Sequence, residues 1–229
     1  MFRLYHQLKL WSIYSEVNNN LLEQTKNIFK NFYNKSNKLT SFTSIIKISG
    51  GGTPRTTEPK FWNGDIPFFT PKDVGFPFTI LTEKNITEEG LNRCNSKLYP
   101  SFTTFVTARG TVGKVALAGK PMAMNQSCYA LESNQIDPIL VYHYVLETVK
   151  ALKHKASGAV FDAIVTRDFE SESINLLSIS DENTFLSIAK PMYEIILSQT
   201  IENKNLAEFR DTLLPKLMLG VLDVSDLDV

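Results

Sequence analysis

The sequence predicts an α+β chain in which one compact mixed-sheet domain is flanked by two long coiled-coil-like helices that pair antiparallel. Ten of the eleven glycines and eight of the ten prolines fall between Gly50 and Gly158, so the middle is rich in turns while the flanks suit long uninterrupted elements. Both flanks repeat apolar side chains at helical spacing. Their charges also oppose one another: residues 1–39 carry 6 Lys and Arg against 2 Asp and Glu, residues 181–229 carry 4 against 9, and residues 40–180 carry 14 against 13. Oppositely charged ends favour pairing. The division expected is an N-terminal helix over 1–39, a sheet domain over 40–180, a C-terminal helix over 181–220 and an acidic tail over 221–229.

In the first flank, Val17, Leu21, Ile28 and Phe32 recur at helical spacing from about Ser15, with Thr25 filling the gap. The aromatic-heavy stretch around Trp11, Ile13 and Tyr14 leaves any upstream extension open. The middle alternates strand-like runs, Ile66 to Thr70, Thr103 to Ala108, Lys114 to Ala118 and Cys128 to Leu131, with turns such as NGD at Asn63 and RGT at Arg109. One helix interrupts them, with Pro138 in its first turn and Tyr142, Val145, Leu146 and Val149 as a buried face. In the last flank Phe185, Ile188, Met192, Ile195, Gln199, Glu202, Leu206, Phe209 and Leu213 step alternately by three and four, a heptad seam. Asp181 is the expected N-cap and Gly220 the expected stop, with Pro191 expected to kink the helix or mark its true start. Polar Gln199 and Glu202 on the seam cost stability and fix register.

With 229 residues, 43% hydrophobic and 21% charged, the chain is an ordinary globular one that needs no disulfide or metal staple. Cys94 and Cys128 form no C-x-x-C pair, and free buried thiols are expected. No apolar stretch approaches the ~20 residues of a membrane span. The N-terminus lacks a secretory pattern, so the cytoplasm is the expected compartment and no membrane partner is expected.

Catalytic signatures are missing. RGTVGKVA from Arg109 lacks the spacing and the Ser or Thr of a phosphate loop. Glu58-Pro59-Lys60 has the E-x-K form of a nuclease metal site, but no aspartate precedes it in the middle region and Pro59 breaks the strand it needs. No G-x-G-x-x-G and no N-P-P-[FY] occurs, and the three histidines do not cluster; His143 and His154 are read as helix-surface residues. No metal or cofactor is expected on this chain.

From Gly50 the chain reads GGGTPRTTEPKFWNGDIPFFTPKDV, then ITEEGL from Ile86, TARGTVGKVALAG from Thr107 and PMAMNQSCYAL from Pro121. This succession resembles the target recognition domain of specificity (S) subunits of type I restriction-modification systems. SGAVFDAIVTRDFESESINLL resembles the end of that domain, LAEFRDTLLPKLMLG the conserved C-terminal helix, and EVNNNLLEQTKNIFKNFY the conserved helix that precedes a second recognition domain. The resemblance implies a non-catalytic reader of a bipartite double-stranded DNA sequence. It docks methyltransferase subunits that carry S-adenosylmethionine, while Mg, ATP, nuclease and translocase functions belong to a restriction subunit. This chain holds one recognition domain, so pairing with a second copy or another S polypeptide is implied. A half-subunit acting only as a coiled-coil scaffold is the alternative.

Base reading needs paired hydrogen bonds, and phosphate contact needs cations or small hydroxyls on loops. The candidates sit at the turns: Arg55, Thr56 and Thr57; Lys72 and Asp73; Arg109 and Thr111; Asn125 and Gln126. Arg55 or Arg109 suits guanine and Asn125 or Gln126 adenine, with Lys153, Lys155 and Arg167 for phosphates. Each has a plainer reading: loop cations are usually solvated, Asn125 and Gln126 can serve backbone groups at a strand end, and Gly51, Thr53, Trp62, Gly64 and Gly113 suit turns and core. A recognition domain of net +1 is expected to bind DNA weakly alone.

Overall fold

A computed structural model describes residues 2–155 and 162–219. Gly220, the acidic tail, the SGAVF portion of the motif at 157–161, and the side chains of Phe209 and Leu213 lie outside the described residues. The chain forms two compact units, one of residues 28–187 and one of residues 1–27 with 188–229.

In the first unit, a five-stranded sheet orders β2 (Lys47–Gly50), β9 (Cys128–Glu132), β6 (Thr104–Thr107), β7 (Val115–Ala118) and β4 (Phe78–Thr79). Its pairs are antiparallel except β4 with β7, which makes the sheet mixed as expected. Phe105 of central β6 faces Ala116 on one neighbour and Ala130 on the other, so small side chains leave room for its ring. Phe69 and Tyr99 pack on that ring with centroids 4.7 and 5.7 Å away. A second sheet sets β3 (Trp62–Phe69) between β5 (Asn85–Ile86) and β8 (Ala123–Met124). Asn63, at φ 60, turns the chain at the start of β3, and the register of β3 shifts between Trp62 and Ile66. A short ribbon pairs β1 (Leu39–Ser41) with β10 (Ser173–Asn175). The four expected strands are present; β1, β4, β5, β8 and β10, of two or three residues, are too short to carry a pattern, and β2 runs directly into the glycines at 50–52.

Helix α4 (Pro138–Lys155) begins at Pro138 as expected and packs on β6, β7 and β9. Between these elements run the short helices α2 (Phe42–Ile45), α3 (Glu88–Asn92) and α5 (Thr166–Glu170). The ITEEGL motif explains α3: the Thr87 hydroxyl caps it by accepting from the Gly90 amide at 3.1 Å, and a Cβ on Gly90 would stand 2.5 Å from the Phe61 carbonyl oxygen.

His143 is buried at 2% exposure, contrary to its expected place on the helix surface. Its ring stacks on Phe29 at 4.7 Å and meets Phe185 edge-on at 5.1 Å, because the two long helices cover this face of α4 within the first unit. His154 is exposed.

Helix α1 (Phe2–Lys35) does extend upstream through the aromatic stretch, and α6 (Ile179–Met218) continues through Pro191 and Pro215. Its cap is Ser178, not Asp181: the Ser178 hydroxyl accepts from the Asp181 amide at 3.2 Å and donates to its carboxylate at 2.7 Å. The helices run antiparallel, Phe29 meeting Phe185 at 5.5 Å in the first unit and Tyr14 donating to Glu202 in the second. Burial and the Glu202 charge raise the Tyr14 phenol above its ordinary pKa.

The buried seam differs from the expected one. In the helical unit it consists of Asn18, Leu22 and Thr25 on α1 with Ala189, Tyr193 and Ile196 on α6. Leu21, Met192 and Leu206 are half-buried beside it, as are Ile28 and Phe32 in the first unit, whereas Val17, Ile188 and Ile195 are 37%, 38% and 45% exposed. The register is displaced by about one residue because Asn18 and Ala189 share the buried face with Leu22, Tyr193 and Ile196, and a pattern read from large apolar residues does not count them. Glu202, expected on the seam, is exposed, while Asn18, Gln199 and Asn203 bury side-chain oxygens that lack a donor among the described residues.

Candidate nucleic-acid interface

Five segments of the sheet unit converge on one cleft of about 420 Å³. They are the segment before β3, the TPKD turn after it, the link from β4 to β5, the turn after β6, and the link from β8 to β9. Their meeting depends on a close backbone approach: a Cβ on Gly51 would lie 2.2 Å from the Asn125 carbonyl oxygen, so only glycine lets the GGTP segment lie against the NQS link. The Thr53 hydroxyl then donates to the Gln126 side-chain oxygen, and the Asn125 amide N–H donates to the Phe69 carbonyl at 3.0 Å.

Thr56, Lys72, Arg109 and Asn125 all line this cleft, and Gln126 joins it through Thr53. The Arg109 guanidinium is exposed and has no partner among the described residues. The Asn125 side-chain oxygen accepts from the Ser127 amide at 3.0 Å, as the plainer reading of a strand-end residue expects, while its NH₂ remains a donor toward the cleft. The Thr111 hydroxyl reaches the Pro71 carbonyl at 3.4 Å and links two of the loops.

Other candidates are engaged elsewhere. Asp73 accepts from the Thr70 amide and hydroxyl at 2.8 and 2.6 Å with one oxygen and from the Glu83 amide at 2.7 Å with the other. Its carboxylate builds the turn, because a tight loop with inward N–H groups needs a local acceptor. Arg55 lies in a different depression, with Glu58, Lys60 and Arg93. Thr57 is exposed beside the cleft loop, and Arg167 is exposed on α5. Lys153 donates to the Gly113 carbonyl at 2.6 Å, and Lys155 pairs with the buried Glu172.

Four lining residues were not among the expected contacts. Trp62, expected in the core, is half-buried on the cleft wall, with its indole N–H donating to the Arg55 carbonyl at 3.2 Å. The Lys84 ammonium stands 5.6 Å from the Trp62 ring centroid, and Thr70 and Ser127 add hydroxyls. Lys84 lies just before ITEEGL, and that adjacency was the one available signal. Charge in the cleft is mainly cationic: Lys72, Lys84 and Arg109 outweigh Glu83, which stands 3.6 Å from Lys72. Donors, acceptors and an aromatic wall around a cationic opening can take a polyanion with hydrogen-bonding edges. Among the described residues no group of His, Cys, Asp and Glu is arranged to hold a metal ion, and no helix is long and apolar enough to cross a membrane.

Together these features define a mixed-sheet recognition domain carried on paired long helices. The family model of the type I restriction modification DNA specificity domain matches residues 34–207, and the chain belongs to that family, with a single such domain. It is similar to the type I restriction enzyme MjaIX specificity subunit of Methanocaldococcus jannaschii, 26% identical over 166 residues that cover 70% of this chain and 38% of that one. It is also similar to the HindI specificity subunit of Haemophilus influenzae, 28% identical over 189 residues, 80% of this chain and 41% of the other. The solved type I S subunit from M. genitalium superposes with a TM-score of 0.64 at 14% identity, covering 94% of this chain and 56% of that chain, which shows a shared fold. The chain thus spans well under two thirds of the length of each of these relatives.

Proposed function

We propose that this chain is a sequence-specific DNA recognition subunit of a type I restriction-modification complex, without catalytic activity of its own. The observation that carries the reading is the convergence of Arg109, Asn125, Gln126, Lys72 and Lys84 on one cleft within the matched family domain. Arg109 offers a forked donor to guanine, Asn125 and Gln126 offer amides to adenine, and the two lysines meet phosphates. Methyltransferase subunits supply S-adenosylmethionine and the reacting site, and a restriction subunit supplies Mg- and ATP-dependent steps, all in the cytoplasm. A second copy or another S polypeptide completes the bipartite reader, and the exposed Val17, Ile188 and Ile195 give the helices an outer apolar face for assembly.

The test is co-expression with a type I methyltransferase subunit in an unmodified host, followed by genome-wide mapping of methylated adenine. A bipartite motif that disappears in the Arg109→Ala variant supports the proposal. A complex that co-purifies and methylates no motif overturns it and leaves the scaffold reading.

A further inference from the structure

We propose that a groove on the sheet unit, separate from the cleft, receives the acidic segment 221–229 of a second copy of this chain. The groove, about 720 Å³, lies between α4, the turn before β4 and the turn between β6 and β7. Its walls are apolar, formed by Val74, Val115, Leu146 and Val149, with Phe76 59% exposed at the edge. Its charged lining is entirely basic. Lys114, Lys150, Lys153 and His154 border it and no carboxylate does. Lys153 closes one side by donating to the Gly113 carbonyl at 2.6 Å, whereas Lys114 and Lys150 are exposed and make no ion pair among the described residues.

An apolar trough with a basic border needs a ligand that brings both apolar groups and negative charge. A phosphate backbone brings only the second. The sequence after Gly220, VLDVSDLDV, interleaves Asp223, Asp226 and Asp228 with valines and leucines and carries no basic residue. In an extended strand alternate side chains face opposite ways, so over 226–229 Leu227 and Val229 can enter the trough while Asp226 and Asp228 reach the lysines. The second copy rests on the pairing reading given above. The groove assignment itself does not depend on DNA recognition.

The experiment titrates a fluorescein-labelled peptide of residues 220–229 with the full chain carrying Asp223→Asn, Asp226→Asn and Asp228→Asn, so that its own segment does not compete. Fluorescence anisotropy should show saturable binding that weakens about tenfold or more on Lys114→Glu with Lys150→Glu. It should weaken again on Phe76→Ser at the groove edge, in a variant whose melting curve matches that of the parent chain. Absence of saturable binding, or binding that ignores both variants, overturns the proposal. So does a short DNA duplex that binds through Lys114 and Lys150 while the peptide does not. Sedimentation of the unsubstituted chain separates the two readings: a dimer that ignores the peptide overturns the groove assignment, and a monomer that binds it through these residues overturns the second-copy source.

Discussion

The Asp73 carboxylate accepts from both the backbone amide and the hydroxyl of Thr70, at 2.8 and 2.6 Å, and in doing so shapes the turn that presents Lys72 to the cleft. Its other oxygen accepts from the Glu83 amide at 2.7 Å, so one side chain fastens two of the cleft loops. Asp73→Ala leaves three donors without their acceptor and should lower stability by about 1–3 kcal/mol. Urea titration of the purified variant checks this. Unchanged stability together with an altered target sequence would instead make Asp73 a direct contact.

The lysines should separate into two groups. Lys72 and Lys84 are exposed at the cleft, and alanine at either should change stability by less than about 0.5 kcal/mol. In the assembled complex each should reduce the slope of log affinity against log salt by about 1. Lys155→Ala removes the partner of Glu172, whose carboxylate side chain is only 7% exposed. Because the lysine end is open to solvent, the expected cost is about 1 kcal/mol of stability, with the salt slope unchanged. Fluorescence titrations at several salt concentrations, with melting curves of the same proteins, distinguish the groups.

The contrast shows what the sequence could and could not reveal. The long helices and α4 were legible because each repeats its pattern over enough residues to define a period, and the four expected strands because each is an apolar run bounded by turn residues. Motif order located the cleft loops, and four of the candidates, Thr56, Lys72, Arg109 and Asn125, meet there. Local sequence does not say which way a loop side chain turns. Asp73 faces inward because three donors surround it, and Arg55 points to another depression while its carbonyl holds Trp62. Long-range placement also decided His143, whose burial depends on Phe29 of α1 and Phe185 of α6, more than a hundred and more than forty positions away respectively.

Ile188 and Ile195 lie seven residues apart, on one face of α6, and both are exposed. Ile195→Asp should leave the chain folded and disperse its higher-order assembly. Tyr193→Ala acts on the buried seam and should cost about 3–5 kcal/mol, melting the helical unit. Sedimentation velocity and thermal unfolding, run on both variants, separate outer face from seam. An Ile195→Asp protein that assembles normally would remove the outer face from the interface.

Asn18 buries an amide oxygen in the helical seam with no donor among the described residues. Replacing an unsatisfied polar group by an apolar one of similar size removes its desolvation penalty, so Asn18→Leu should raise stability by about 1–2 kcal/mol. A polar seam residue also disfavours alternative registers. The stabilised variant should therefore populate more than one assembly state in native mass spectrometry, and a single state with unchanged stability would exclude the register role.

The two thiols should differ in reactivity. Burial, with the Asp73 charge adding to it, pushes the Cys128 thiol up to about 12 from its ordinary 9.0, while Cys94 is half-buried near the surface. Thiolate is the reacting species, so iodoacetamide at pH 8 should modify Cys94 alone in the folded chain and both cysteines in urea, as counted by intact mass. The folded thiol holds its proton more tightly than the unfolded one. The stability this contributes is complete below pH 9 and is lost as the pH climbs toward 12, in step with Tyr99, which burial and then Glu132 also raise to about 12. Urea midpoints should therefore fall across that alkaline range, and Cys128→Ala should make the fall shallower; an identical alkaline profile in the variant would show that the thiol contributes nothing to it.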